Sequence, residues 1–287
     1  MTQGLPGELV SPGIVWTGFT RLRRGASYVF LRLSVPVVAV ALWELGSRTE
    51  VLDKNWIPAP SVVATSWYDW LFGTPGAVAG EYYSGTWTTH AWASSQRVLL
   101  GFVVAAAFGI VIGVLIGWFR LVAVLFDPLI QVLRPIPITA WLPFAIVFFG
   151  IKQTSAIFLI ALGAFFPIVV NAAAGAAQTP TLLVRAALML GLPKWKLLFR
   201  VVIPSALPSI MTGLRLGIGV AWVLVIVAEM LAVKSGLGFV LWDAFQFIRM
   251  DIIVAAMFSV GIIGFLSDLV IVLIGKWVLR WSKGLYG

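Results

Sequence analysis

Residues 179–204 read T-P-T-L-L-V-R-A-A-L-M-L-G-L-P-K-W-K-L-L-F-R-V-V-I-P, a short helix, a Gly-Leu-Pro break and a basic segment set between two long apolar runs. Thr179 can cap the helix, Pro180 suits its first position, and Gly191 followed by Pro193 supplies a stop. Leu183, Ala187 and Leu190 fall at i, i+4 and i+7, which places one apolar face on about three turns. Arg185, Lys194, Lys196 and Arg200 surround that face with charge, and the stretch holds no acid. Trp195 can lie flat on lipid or on a partner. Two readings follow: a knob that docks into another protein's groove, or an amphipathic helix bound only to anionic headgroups.

The flanking runs make this a membrane protein. Of the 287 residues 61% are apolar and the mean hydropathy is +1.02, more than a soluble core requires. Several runs reach the roughly 20 residues that cross the hydrocarbon layer. The expected fold is all-α and polytopic, with six transmembrane helices near 28–47, 96–118, 135–150, 154–174, 205–232 and 252–275. Asp127-Pro128 and Arg134-Pro135 break the stretch 121–134 into an elbow at the membrane surface. Gly101, Gly109, Gly113 and Gly117 form a small-residue stripe that permits close helix approach.

The net charge of +9 suits the positive-inside rule rather than nucleic acid. Arg21, Arg23, Arg24, Arg120, the 179–204 segment, Lys276, Arg280 and Lys283 belong to the inner side, so both termini are expected in the cytoplasm. The segment 48–93 sets Arg48 and Lys54 against Glu50, Asp53, Asp69 and Glu81 and belongs outside. Within it Pro60-Ser61 starts a helix whose Trp67, Tyr68 and Trp70 suit either the lipid interface or a packed outer rim. Absence of cysteine excludes disulfides. The single histidine, His90, has no second histidine with which to build a metal site. No phosphate-cradling glycine motif occurs. His90 beside Ser94 and Ser95 reads as an interfacial histidine rather than a hydrolase pair.

Ionisable groups inside spans cost roughly 2.5–3.5 kcal/mol each at mid-bilayer and need a reason. Arg215 and Glu229 stand on the fifth expected span, about 21 Å apart at 1.5 Å per residue and near one face. They either line a transport path, with Arg215 attracting an anion, or reach separately to the two surfaces. Gln131 and Arg134 before the Pro135 break could offer donors to an oxyanion, although Arg134 equally suits an inner-surface anchor. Trp141 and Asn171 are further pathway candidates. Asp268 is expected to pair within the bundle.

Arg185-Ala186-Ala187, three residues, Gly191, nine residues, then Val201-Val202-Ile203-Pro204 resembles the E-A-A-x3-G-x9-I-x-L-P signature of ABC importer permeases, with Arg185 in place of the glutamate. The blocks S-S-Q-R-V-L-L-G-F (94–102), D-P-L-I-Q-V-L-R-P-I-P (127–137), W-L-P-F-A-I-V-F-F-G-I (141–151), I-P-S-A-L-P-S-I-M-T-G-L-R (203–215) and A-E-M (228–230) resemble the nitrate, sulfonate, taurine and bicarbonate group, nearest to the cyanobacterial nitrate and bicarbonate permeases. That resemblance implies a type I importer fold. It divides the chain into an N-terminal cytoplasmic segment (1–27), a first helix and periplasmic segment (28–93), a permease core of five spans (94–281) and a cytoplasmic tail (282–287). It also implies a coupling helix within 179–204 that docks into an ATPase through Arg185, Ala186, Ala187, Gly191, Pro193, Lys194, Trp195, Lys196 and Pro204. The expected pathway residues are Gln131, Arg134, Trp141, Asn171, Arg215 and Glu229. The implied assembly is two permease copies, two ATPase subunits that hold ATP and magnesium, and an outside binding protein in the bacterial inner membrane. The chain itself would then be a transport subunit that binds no cofactor. The implied cargo is nitrate or nitrite, with bicarbonate, sulfonate or taurine as the alternative. A stand-alone secondary anion carrier is the opposing class.

Overall fold

The computed structural model describes residues 20–49, 51, 53, 56–74 and 82–280, and every regular element among them is helical. The part up to Ser61 is one compact unit, and the part from Val62 onward is the other. The first holds α1 (Thr20–Arg48) and the opening residues, Pro60 and Ser61, of α2 (Pro60–Phe72), whose remainder belongs to the second. Glu44 takes the backbone N–H of Ser61 at 3.0 Å and its hydroxyl at 2.8 Å, so a carboxylate from one helix caps the start of the next. The expected span 28–47 lies on α1 and falls partly outside the described side chains. The expected cytoplasmic segment 1–27 falls wholly outside them.

The second unit is built on three helices: α3 (Trp87–Trp118), α6 (Gln153–Ala177) and α9 (Ile203–Ala232). Lipid gives helices no hydrophobic reason to associate, so backbone proximity must come from small residues. The glycine stripe does this. Gly101 faces Ile160, Gly109 faces Ile168, Gly113 faces Val169 and Ala172, and Gly117 faces Ala173 and Ala176. Both numbers rise together, so α3 and α6 run parallel. On the other side of α6, Gly175 faces Ser209, Gly213 faces Asn171, Gly217 faces Ile168 and Gly163 faces Leu224, a falling register that makes α6 and α9 antiparallel.

Two parallel contacting helices require the chain to return between them. It does so through α4 (Arg120–Leu133) and, after a 3-10 turn at Ile138–Trp141, α5 (Leu142–Phe149). These two pieces are bent by 93°. The expected separate elbow and short span at 121–150 are therefore one broken crossing, as the Pro135 and Pro137 breaks require. The connection after α6 holds α7 (Thr181–Met189) and α8 (Lys194–Leu197), and α8 continues through a wide π turn at Leu198–Val202 into α9. After α9 come α10 (Leu237–Gln246) and the last long helix, α11 (Met250–Val278). Four described helices are long and apolar enough to cross a bilayer, or five with the broken pair counted as one, against the six expected.

One end of this unit carries α2, the start of α3 and α10. There Trp70 is fully buried and gives its indole N–H to Thr86 at 3.2 Å, while Tyr68 points outward, so α2 packs one face and exposes the other. The opposite end carries α7 and α8.

A Cβ at Gly113 would stand 2.5 Å from the Val169 carbonyl oxygen, which is backbone and cannot swing away. Gly113→Leu should therefore force α3 off α6 and lower the unfolding midpoint by several degrees, with overpacking of this kind costing about 1–3 kcal/mol. Gly261→Ala, which meets nothing within 4 Å, should leave the midpoint in place. Equal midpoints for both variants in detergent would contradict the seam.

Candidate functional site

The connection between α6 and α9 is a capped, protruding knob. Thr179 donates its hydroxyl to the Ala176 carbonyl at 2.9 Å, so it finishes α6 rather than capping α7, and Pro180 takes the N-cap place instead. At the other end the N–H of Leu192 reaches the Ala187 carbonyl at 3.0 Å and that of Gly191 reaches the Leu188 carbonyl at 3.0 Å. Gly191 has φ +76°, which completes a Schellman stop at the residue where the sequence places one. The helix is not oriented as its i, i+4, i+7 spacing suggests. Ala187 and Val184 turn inward against Val114, Ala172, Leu197 and Val202. Leu182, Met189 and Leu190 turn out, the last two at 87% and 88% exposure. Arg185, Ala186 and Trp195 are exposed beside them, and Lys196 stands 5.1 Å from the Trp195 ring centroid. Pro193 caps α8, and Pro204 sits in the first turn of α9 after the π turn.

The groups proposed within the spans do not form one site. Arg215 of α9 makes a two-point ion pair with Asp268 of α11, Nε to Oδ1 at 2.8 Å and Nη2 to Oδ2 at 2.9 Å. The pair opens on a groove of about 600 Å³ lined by Thr212, Leu216, Gly219, Val220, Val223 and Leu224. Gln131 is engaged by Asp127 at 2.7 Å on α4, and Arg134 caps the end of that helix. Asn171 donates to the Pro167 carbonyl at 2.8 Å and packs on Gly213, which makes it an α6–α9 contact. Trp141 packs with Leu142, Ala156 and Leu159, its indole N–H buried, and meets Phe144 edge-on.

Glu229 departs furthest from expectation. It is wholly buried, at 0% exposure, and so cannot share a lining face with Arg215. Its Oε1 accepts Nη1 of Arg97 at 2.6 Å, and its Oε2 accepts the Ser94 hydroxyl at 2.8 Å and the Gly238 N–H at 2.9 Å. Arg97 also donates to the carbonyl and hydroxyl of Ser235, at 2.8 and 2.6 Å. The first N–H groups of α10 are thus capped by other helices: Gly236 by Nδ1 of His90 at 3.1 Å, Leu237 by the Ser94 hydroxyl at 2.8 Å, and Gly238 by Glu229. Gly236 has φ +116°, and any Cβ there would run into the Glu229 carboxylate. On the far side of α10, Tyr83 donates to Asp243 at 2.8 Å, and burial, then Asp243, push its phenol pKa upward. His90, Ser94 and Arg97 recur at i, i+4 and i+7, a polar stripe at the head of an apolar helix, and that was the legible signal for this cluster.

Residues 108–283 match the family described as the binding-protein-dependent transport system inner membrane component. The nitrate import permease protein NrtB of Synechococcus elongatus is 32% identical over 276 residues, 93% of this chain and 95% of its own. The taurine transport system permease protein TauC of Escherichia coli is 34% identical over 241 residues, 84% of this chain and 86% of its own. Among solved structures, an inward-facing form of the MetNI methionine ABC transporter aligns with a TM-score of 0.55 at 19% identity, covering 67% of this chain and 95% of that one.

Removing one member of a sealed ion pair leaves a buried charge and costs about 3–5 kcal/mol. Arg97→Met and Glu229→Leu should each destabilise the protein on that scale, and the double substitution should recover most of the loss. A double variant no more stable than either single, by thermal unfolding, would contradict the coupling.

Proposed function

Because this chain belongs to the family of binding-protein-dependent transport system inner membrane components, and is an ABC importer permease of the nitrate, bicarbonate, sulfonate and taurine group, we propose that its cargo is nitrate or nitrite. The fold is that of a type I ABC importer, and the chain is a transport subunit whose ATPase is a separate protein. The observation that supports an anionic cargo is Arg215, whose planar fork already holds one carboxylate, that of Asp268, mid-helix on a groove that is otherwise apolar but for Thr212. A weakly hydrated, planar, monovalent oxyanion matches that fork in charge and in two-point geometry. Bicarbonate shares the geometry and is the second reading.

The knob is the surface for the ATPase. Met189, Leu190 and Leu182 supply an exposed apolar tip, and Arg185, Lys196 and Arg200 a basic rim; Lys194 belongs to the same docking segment by sequence. The Schellman stop at Gly191 and the Pro193 break fix the tip's angle, and Trp195, Pro204 and Ala186 complete the docking segment, while Ala187 braces it from within. Arg120, the knob, Lys276 and Arg280 put basic residues at one end of the second unit, which supports a cytoplasmic place for that end by the positive-inside rule; both termini would lie on the same side. Two copies would then enclose the path. Two ATPases carrying ATP and magnesium would bind beneath, and an outside binding protein would deliver cargo. ATP-driven approach of the two knobs would shift the spans between inward- and outward-open states by differential stabilisation.

Leu190→Asp should leave the permease folded, because its side chain is exposed in this chain. It should lower co-purification of the ATPase at least tenfold and stop uptake. In proteoliposomes holding the full complex, nitrite should compete with nitrate uptake and taurine should not. Uptake by the lone chain without an ATPase would defeat the importer mechanism, and taurine competition would defeat the cargo.

A further inference from the structure

Helix α9 carries two ion pairs of opposite character. Arg97–Glu229 is sealed, with side chains 4% and 0% exposed, and four further hydrogen bonds hold its members. Arg215–Asp268 is open, at 58% and 30%. Both of its members lie more than two turns from their helix ends, at a depth where charge facing lipid is expelled. An open pair at that position in the single chain faces lipid, a second copy or the transport path, and lipid is the least hospitable of these to charge. The rest of its groove is apolar apart from Thr212.

We propose that Asp268 is an internal stand-in for the cargo. Its carboxylate occupies the Arg215 fork when the path is empty, and an arriving oxyanion takes its place. This rests on the anion-permease reading above. The carboxylate meets the guanidinium through two parallel contacts, 2.8 and 2.9 Å long, the arrangement by which any planar oxyanion with two oxygens on one atom binds arginine. Nitrate and bicarbonate are such ions, so one can replace the carboxylate without a change in the shape of the fork. The resident acid neutralises Arg215 between cycles. It also competes with the bound ion, so the cargo is held loosely enough to leave, which a conducting path requires. Asp268 is therefore a positioning residue that sets affinity through Arg215. The alternative is that the pair only fastens α11 to α9, a task that Trp222 with Ser267 at 3.2 Å and Met211 against Gly275 already perform.

The test is equilibrium dialysis of the detergent-solubilised permease–ATPase complex, without binding protein, against nitrate, bicarbonate and taurine in turn, with bound ion measured chromatographically. Asp268→Asn should lower the Kd about tenfold, Asp268→Glu should keep the wild-type value, and Arg215→Gln should abolish binding. The double variant R215Q/D268N restores neutrality and keeps the fold, and it should bind nothing. An unchanged Kd in D268N, or wild-type binding by the double variant, overturns the stand-in role and leaves the importer reading intact. If the wild type takes taurine but neither planar ion, the cargo reading falls, and the D268N to wild-type ratio on taurine still decides the role of Asp268. If neither the wild type nor D268N binds any of the three, both ideas are overturned.

Discussion

Helices in hydrocarbon gain nothing by turning apolar surface toward one another, so α6 stands between α3 and α9 only because glycines let the three backbones touch. The contacts are mutual. α3 supplies Gly101, Gly109, Gly113 and Gly117, α9 supplies Gly213 and Gly217, and α6 supplies Gly163 and Gly175. Because α3 and α6 are parallel, the chain must cross back between them, and that crossing falls to the bent pair α4 and α5. Because α6 and α9 are antiparallel, their junction turns back at one end of the unit without a further crossing, and there it projects as the knob. The seam thus determines both where the chain breaks and where it protrudes.

On that frame the polar chemistry separates by end and by exposure. At the α10 end, Arg97, Glu229 and Ser94 satisfy one another and, with His90, the first N–H groups of α10, so that helix start is closed. Midway along α9, Arg215 and Asp268 answer each other while remaining accessible. At the far end the basic side chains of α7 and α8 have no acidic neighbour within their own segment. One span therefore carries a sealed joint and an exchangeable contact, and its entry is joined to a docking element.

Much of this was legible in the sequence. Long apolar runs disclosed α3, α6, α9 and α11, the glycine spacing disclosed the seam, and Gly191 with Pro193 disclosed the end of α7. What escaped was decided by partners distant in the chain. Arg97 stands at the edge of an apolar run and looks like a surface anchor until Glu229, 132 residues later, is brought against it. Glu229, read alone, resembled a lining residue. On α7 the stripes 183/187/190 and 182/186/189 are equally apolar, and only the underlying cluster of Val114, Ala172 and Val202 determines that Ala187 faces inward. Helix α10 is short and begins with glycines, so its local pattern resembled a loop, and its start depends on caps borrowed from α3 and α9. The crossing 120–149 reads as two features because its prolines break it, although the parallel register of α3 and α6 makes it one.

The sealed pair also bears on biogenesis. Arg97 leaves the ribosome 132 residues ahead of Glu229, roughly 7–26 seconds at ordinary elongation rates. During that wait it has no counter-charge. Its place immediately before the uninterrupted apolar run from Val98 to Trp118 lets its long arm stay at headgroup level while α3 inserts. Glu229 occupies the matching position near the end of its own run, four residues before Val233, so the two charges meet at the bilayer boundary and are enclosed there together. By the reading that puts the knob in the cytoplasm, that boundary is the outer one, so Arg97 is carried across with the head of α3 before its permanent mate has been synthesised, and the pair closes only once α9 has followed.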